Sequence, residues 1–350
     1  MDFGFDEDQL EFRAQLRAFA EKNCTPADIR EAWASEPGWS RRRWRALAEL
    51  GVVGLTVPSA YGGLGLGLVD LVLLLEEAGR AGLPEPLLET TALAVPALVE
   101  AAGPGAEDIR GRWLENVVAG GAAVAVGTAG TAHVPYGASA DLLLLERDGE
   151  LHAVPGSSAD RGPRRALDGG RPRAEVSWSP SPGTLLASGP EAETLSAAVR
   201  DRAATATGAA LLGVADRLVA TAAGYARERV QFGSPIGSFQ AVKHHLAGAL
   251  VRIEFARPAV YRAAWSIDEG DPGASVHASM AKASAAEAAT LAARVALQVH
   301  GAIGYTWEHD LHLWMKRAWS LARAWGDAGW HRARVLAAMT EEAGTEETTT

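Results

Sequence analysis

A single cysteine, Cys24, among 350 residues excludes an intramolecular disulfide and any four-cysteine metal site. A reducing, cytoplasmic setting fits that scarcity best. Positive charge is also short: 33 Lys and Arg stand against 43 Asp and Glu, a formal net charge of -10. Such a chain repels a phosphate polymer at long range, so no nucleic-acid partner is expected. Long apolar runs are missing as well. Asp70 breaks the run over 68–72, and no stretch nears the roughly 18–20 residues a bilayer demands, so no membrane span is expected. The opening MDFGFDEDQL is acidic rather than basic and then apolar, which argues against a secretory leader. What the chain does have is 48% hydrophobic residues against 22% charged. That is enough apolar side chain to bury a core and to exclude disorder as the main state.

Three local patterns follow one another along the chain. Phe12, Leu16 and Phe19 recur at helical spacing with charges between them, as in an amphipathic opening helix. A second helix over about 41–50 turns Trp44, Leu47 and Ala48 inward and stops at Gly51, a residue type that readily takes the left-handed helix-ending conformation. The glycines of 61–67 lack the GxGxxG spacing and the strand-to-helix context of a dinucleotide loop, so they read as a turn. A third helix follows over 70–80, and Pro84, Pro86, Pro96 and Pro104 break 83–118 into short helices.

Between about 119 and 190 short β-prone runs take over. Residues 141–146 and 151–154 flank Asp148-Gly149, a pair suited to a tight hairpin, and Ala174, Val176 and Trp178 alternate with Arg173, Glu175 and Ser177 as on a half-buried strand. From 191 helices return: Leu211, Val214, Leu218 and Tyr225 share a face, and the alanine-rich run 274–299 suits closely packed antiparallel helices. The expected fold is mainly α with a small central β domain. It comprises an N-terminal helical domain (1–118), a β-barrel-like middle domain (119–190), a C-terminal antiparallel four-helix bundle (191–340) and a disordered polar tail (341–350).

Histidines raise the question of a metal. His309 and His312 are three apart, with Glu308, Asp310 and His331 near in sequence, yet no Glu-x-x-His pair of the helical di-iron type occurs, and His244 and His245 point apart on a helix. No metal is expected. The cluster Trp314, Trp319, Trp325 and Trp330, from a total of 11 tryptophans, is expected to fill a core or a subunit interface.

Several strings are more specific than these patterns. Residues 44–51 (WRALAELG), Val57-Pro58, 61–65 (YGGLG) and 76–80 (EEAGR) come first; 227–237 (RERVQFGSPIG) with 239–244 (FQAVKH) and 298–306 (QVHGAIGYT) follow. In this order they resemble the acyl-CoA dehydrogenase family across nearly the whole chain. The resemblance implies a flavoprotein in which FAD lies between the β domain and the bundle and a neighbouring subunit completes the site. It implies that Arg229, Gln231 and Phe232 meet the adenine dinucleotide half of FAD, with Gln240 near it. Gln298, Gly301 and Gly304 would contact FAD across a dimer interface. The residue types suit those roles, since a guanidinium holds pyrophosphate, amides bond ribose or adenine edges, and glycines admit close backbone approach.

The implied reaction introduces an α,β double bond into an acyl-CoA thioester, a carboxylate taking the α proton while FAD takes hydride from the β carbon. The implied assembly is a homodimer or a homo- or heterotetramer that passes electrons to an acceptor. The base in this family is usually a Glu at one of two places, and here these fall on Trp325, followed by Gly326, and near Ala203 or Ala204. The catalytic base is therefore unassigned. Asp327 and Asp201 are the nearest acids, more simply read as a helix cap and as an exposed pair with Arg202, and Glu308 reads as a cap. The family's Thr-Glu-Pro, Gly-Ser-Asp and Trp-Ile segments are also missing from the β region. Two alternatives follow: a non-catalytic partner subunit of a heteromeric acyl-CoA dehydrogenase, or a flavin-dependent monooxygenase on the same fold.

Overall fold

Residues 4–128 and 133–347 are described by this computed structural model, 341–347 by their backbone alone. They form two compact units, one of Glu11–Leu74 and Leu83–Ala203, the other of Met1–Leu10, Leu75–Gly82 and Ala204–Thr350.

In the first unit, helix α1 (Glu7–Asn23) buries Leu16 and Ala20 beside the half-buried Phe12 and Phe19. Helix α2 (Pro26–Ala34) starts from a capping box: Asp28 N–H donates to the Thr25 hydroxyl, and Thr25 N–H donates back to the Asp28 carboxylate at 2.8 Å. The Thr25 hydroxyl also donates to that carboxylate, and these bonds hold the Asp28 carboxyl below the usual range. Thr25→Ala is expected to cost about 1 kcal/mol in a urea titration. Because the folded pKa is depressed, the wild-type advantage stands above pH ~4 and fades as the pH falls through the folded value. An unchanged midpoint for Thr25→Ala at neutral pH would remove the cap from the account.

Helix α3 (Arg41–Glu49) buries Trp44 and Leu47 and ends at Gly51, whose φ is 87°. The Trp44 indole N–H donates to Ala122 O at 3.1 Å, and Arg43 pairs with Glu85 at 2.9 Å, both side chains buried. The glycines after Tyr61 make the expected turn ahead of α4 (Leu68–Ala81). Between 83 and 118 lie α5 (Val95–Glu100) and α6 (Ala106–Val118), preceded by a fully buried π-helical segment, Leu88–Ala94, that the prolines do not reveal.

The middle region contains β1 (Val124–Gly127), β2 (Val134–Pro135), β3 (Leu142–Arg147), β4 (Glu150–Pro155), β5 (Asp160–Arg164), β6 (Arg173–Ser177) and β7 (Leu185–Ser188). One sheet runs β1-β3-β4-β7 with β1 parallel to β3; the other runs β2-β6-β5. Arg147 pairs with Glu150 across the expected two-residue turn, where Asp148 and Gly149 both have positive φ. The barrel-like expectation resolves into these two short sheets. Edge strand β1 is covered by the π-helical segment rather than by another strand: the Thr90 hydroxyl accepts from Val124 N–H at 3.0 Å and donates to Val124 O at 3.1 Å.

The second unit takes most of α7 (Gly189–Glu228), then a small hairpin of β8 (Val230–Gln231) and β9 (Ser234–Pro235). Helices α8 (Gln240–Asp268), α9 (Ala274–His300), α10 (Leu311–Arg323) and α11 (Ala328–Glu347) complete it. Helix α7 is long and apolar enough to cross a membrane by composition, but 83% of its apolar window is buried within the protein. The alanine face of α9 lets α8, α10 and α11 all pack against it. Lys282 of α9, fully buried, donates to Ala322 O and Gly326 O at 3.0 Å and so closes the α10–α11 turn. Helix α11 continues through Glu347, into the stretch read from sequence as a disordered tail; 348–350 lie outside the described residues.

Candidate functional site

The C-terminal end of α7 gives way to a tight hairpin. Arg229 N–H still donates to Tyr225 O as the last helical bond, and Ile236 N–H returns to Arg229 O at 2.8 Å. The turn between β8 and β9 is built on Phe232 (φ 51°) and Gly233 (φ 76°), and Phe232 is 94% exposed, its ring edge-on to Phe239 at 6.2 Å. A non-glycine residue in the left-handed region is strained, and such positions cluster where a loop is shaped for function. Arg229, Gln231, Phe232 and Gln240 are all exposed.

The other predicted segment closes α9. Gln298 is exposed in its last turn, and Gly301 takes φ 64° with ψ -140°, a conformation open only to glycine. Gly304 is buried: a Cβ there would lie 3.0 Å from Leu297 and 3.1 Å from His300. The two segments meet through one contact that the sequence did not announce. Tyr225, four residues before Arg229, stacks on His300 with ring centroids 4.4 Å apart and 24° between planes.

One end of the second unit thus presents a guanidinium and carboxamides to solvent. The Arg229, Gln240 and Gln298 side chains form no hydrogen bond or ion pair with any described residue, while the Gln231 amide donates to Val230 O at 2.7 Å. Solvent-facing donors of this kind, next to strained backbone and accessible glycine, fit a ligand bearing phosphate, ribose and a purine edge, as in the adenine dinucleotide half of FAD.

The two base positions carry no carboxylate. Ala203 and Ala204 are fully buried. Trp325 has φ 59° and Gly326 φ 97°; His331 Nε2–H donates to Trp325 O at 3.0 Å, and the Trp325 indole N–H is buried without a partner among the described residues. Asp327 caps α11, accepting from Trp330 N–H at 2.9 Å, and that bond holds its carboxyl below the usual range, which makes it a weak proton acceptor. Two sequence readings are corrected. Asp201 is buried rather than exposed, and Arg202 pairs with Glu100 instead, because helix neighbours diverge by about 100°. Glu308 does not cap α10: the N-cap position is Asp310, and the first helical N–H, of Leu311, donates to His309 Nδ1 instead. The histidines separate too, His309 beside His300 and His312 under the Trp307 ring.

Sequence reasoning also missed a groove of about 670 Å³ between α9 and α10, with Trp319, Arg294, Arg323 and Asp327 in its lining. No string of neighbouring residues signals it, since its lining comes from three separate helices.

Comparison with known proteins agrees with this geometry. Residues 6–121 match the acyl-CoA dehydrogenase N-terminal domain and 198–340 the acyl-CoA dehydrogenase C-terminal domain. The chain is 34% identical over 319 residues to acyl-CoA dehydrogenase IpdE2 of Mycobacterium tuberculosis, covering 89% of this chain and 91% of that one. Among solved structures it is similar to the ChsE4-ChsE5 complex of Mycobacterium tuberculosis, 26% identical with a TM-score of 0.86 over 97% of this chain and 99% of that one. It is similar to a Tcur3481-Tcur3483 steroid ACAD variant at 26% identity, with a TM-score of 0.85 and the same coverage. With both flanking domains matched and the relative aligned nearly end to end, the chain belongs to the acyl-CoA dehydrogenase family.

Proposed function

We propose that this chain works in an oligomer as an FAD-dependent oxidoreductase that introduces an α,β double bond into an acyl-CoA thioester. The carrying observation is the set of exposed guanidinium and carboxamide groups at 229–240 and 298–304, joined at one end of the bundle by the Tyr225–His300 stack. Arg229 would hold the pyrophosphate, Gln231, Gln240 and Gln298 the ribose and adenine edges, and Phe232 would lie against the dinucleotide. Gly301, exposed, would let backbone approach it, whereas Gly304 is buried and its lack of a side chain serves packing against Leu297 and His300. Bound FAD supplies a hydride acceptor for the β carbon. Oligomerisation is supported by exposed apolar side chains on and before α8, among them Phe239, Leu250, Val251 and Phe255, the last 79% exposed. We place the protein in the cytoplasm, with an electron acceptor downstream.

A second reading is favoured by one observation: Trp325, Ala203 and Ala204 offer no α-proton acceptor. In that reading the chain supplies nucleotide-facing surface to a catalytic partner subunit, and two of the similar structures are complexes of two named components. The test is a visible spectrum of the purified protein, its subunit composition, and anaerobic addition of straight-chain and steroid-linked acyl-CoA. A yellow homomer that bleaches supports the first reading; flavin and bleaching that arrive only with a second polypeptide support the other. A protein that binds no FAD in either state contradicts both. Arg229→Gln is expected to weaken FAD binding roughly 10- to 100-fold, the worth of a charge-assisted hydrogen bond, with an unchanged melting temperature.

A further inference from the structure

We infer that His300 is a positioning residue that holds the two nucleotide-facing segments in register, and that it does so only as the neutral imidazole. The inference rests on the proposed function, because it concerns the same end of the bundle.

His300 is 4% exposed and touches four pieces of chain. Its ring stacks on Tyr225 of α7, one turn ahead of Arg229, and meets the His309 ring at 4.6 Å and 65°. Its Cβ lies against the backbone of Gly304, where an added methyl group would come within 3.1 Å. Its Nδ1–H donates to Ala296 O at 2.7 Å, one turn back on α9. His309 is fixed in turn, its Nδ1 accepting from Leu311 N–H at 3.1 Å at the start of α10. A shift of this one ring therefore moves the 229–240 segment relative to the 298–304 segment.

The bond to Ala296 also sets the tautomer. A carbonyl can only accept, so Nδ1 carries the proton and Nε2 keeps its lone pair. Nε2 is buried and has no partner among the described residues. Protonation would place an N–H there with no acceptor and a positive charge beside His309. The titratable groups that face the ring are Tyr225 from α7 and His309 from the segment leading into α10; no carboxylate among the described residues bonds it. Burial first, and His309 after it, keep the His300 pKa below the ordinary 6.5. With the folded value depressed, the neutral arrangement is fully present at and above the ordinary pH ~6.5 and is lost only as the pH falls through the lower folded value.

A ring that merely filled the core would set the melting temperature and leave FAD affinity and its pH dependence alone. The test is titration of FAD fluorescence quenching by the purified oligomer from pH ~7.5 to ~5.5, with melting temperatures in parallel, for wild type, His300→Phe and His300→Ala. Wild type is expected to lose about tenfold in affinity across that range. His300→Phe, which keeps the stack and cannot be protonated, is expected to bind within about threefold of wild type at pH ~7.5 and to lose the acid dependence. His300→Ala is expected to bind about tenfold more weakly at both ends. Acid loss retained in His300→Phe, or wild-type affinity in His300→Ala, overturns the inference. Arg229→Gln separates the two levels: if it weakens FAD binding while His300→Ala does not, the positioning role falls and the proposed site stands. If neither variant matters, the proposed site falls.

Discussion

Glu89→Gln is expected to lower the stability of this chain by about 3–5 kcal/mol, the cost of leaving a buried charge without its partner. Glu89 Oε1 accepts from Arg171 Nε at 3.0 Å and Nη2 at 2.8 Å, and both side chains are 3% exposed. Arg171 Nη1 has no partner among the described residues, so Glu89 is its bonded counter-ion. Arg173 stands close by, half-buried, its pKa drawn down by burial and by Arg171, with Asp168 and Glu89 opposing. Removing the Glu89 charge leaves two guanidinium groups facing a single acid in a dry setting. Gln is nearly isosteric with Glu, so no cavity confuses the measurement. The double replacement Glu89→Leu with Arg171→Met is expected to regain much of the loss, because a matched apolar pair carries no desolvation penalty. Urea titrations of the two singles and the double give the coupling energy. A loss under about 1 kcal/mol for Glu89→Gln would mean that water reaches the pair and the argument fails.

That ion pair also marks where the sequence stopped being legible. Local signals carried far: Gly51 ended a helix, Asp148-Gly149 turned a hairpin, and the apolar positions of 12–19 and 174–178 faced inward as their periods require. The π-helical segment could not be read. Its residues, LETTALA, pass for an ordinary short helix, and the contacts on it are distant, Glu89 to Arg171 and Thr90 to Val124. A pair 82 residues apart leaves no trace in one sequence.

The site shows the same division. Motif strings located the segments at 229–240 and 298–304 because glycine and strained turns constrain sequence locally. The Tyr225–His300 stack that joins them is a tertiary contact between α7 and α9, and neither residue was singled out for the site. Asp201 and Arg202 illustrate the converse error, adjacency in sequence mistaken for adjacency in space. Trp325 was found by counting, but its left-handed backbone and its ties to His331 and the Lys282-bound turn were not. Together they show a loop fixed in place with no carboxylate at position 325 and with its acid, Asp327, committed to the cap of α11.

Gly→Ala inside a helix ordinarily stabilises by about 0.5–1 kcal/mol, since alanine loses less backbone entropy on folding. For Gly213 of α7 the opposite sign is expected. A Cβ there would lie 1.8 Å from Glu76 O and 2.6 Å from Arg80 N, both on α4. Gly79 of α4 faces the same constraint, its Cβ 2.0 Å from Ala210 O on α7. Backbone oxygen cannot swing away as a side chain can, so a methyl at either place must push the two helices apart by about an ångström or more. The separation breaks a polar cluster. Glu76 pairs with Arg257 of α8 and accepts from Tyr261 Oη–H at 2.9 Å, and Arg257 also holds Asp216 of α7 at 3.0 Å. Burial raises the Glu76 pKa and Arg257 opposes it, so α4 carries a carboxylate whose charge depends on staying where it is. Overpacking and a loosened buried ion pair together set the expected loss at about 3 kcal/mol or more for Gly213→Ala or Gly79→Ala. Gly111→Ala on α6 is the control, because a Cβ there meets nothing within 4 Å and the usual small gain should return. If Gly213→Ala raises the urea midpoint as Gly111→Ala does, the two helices do not touch backbone to backbone, and the cluster around Arg257 is not what fixes α4 to the bundle.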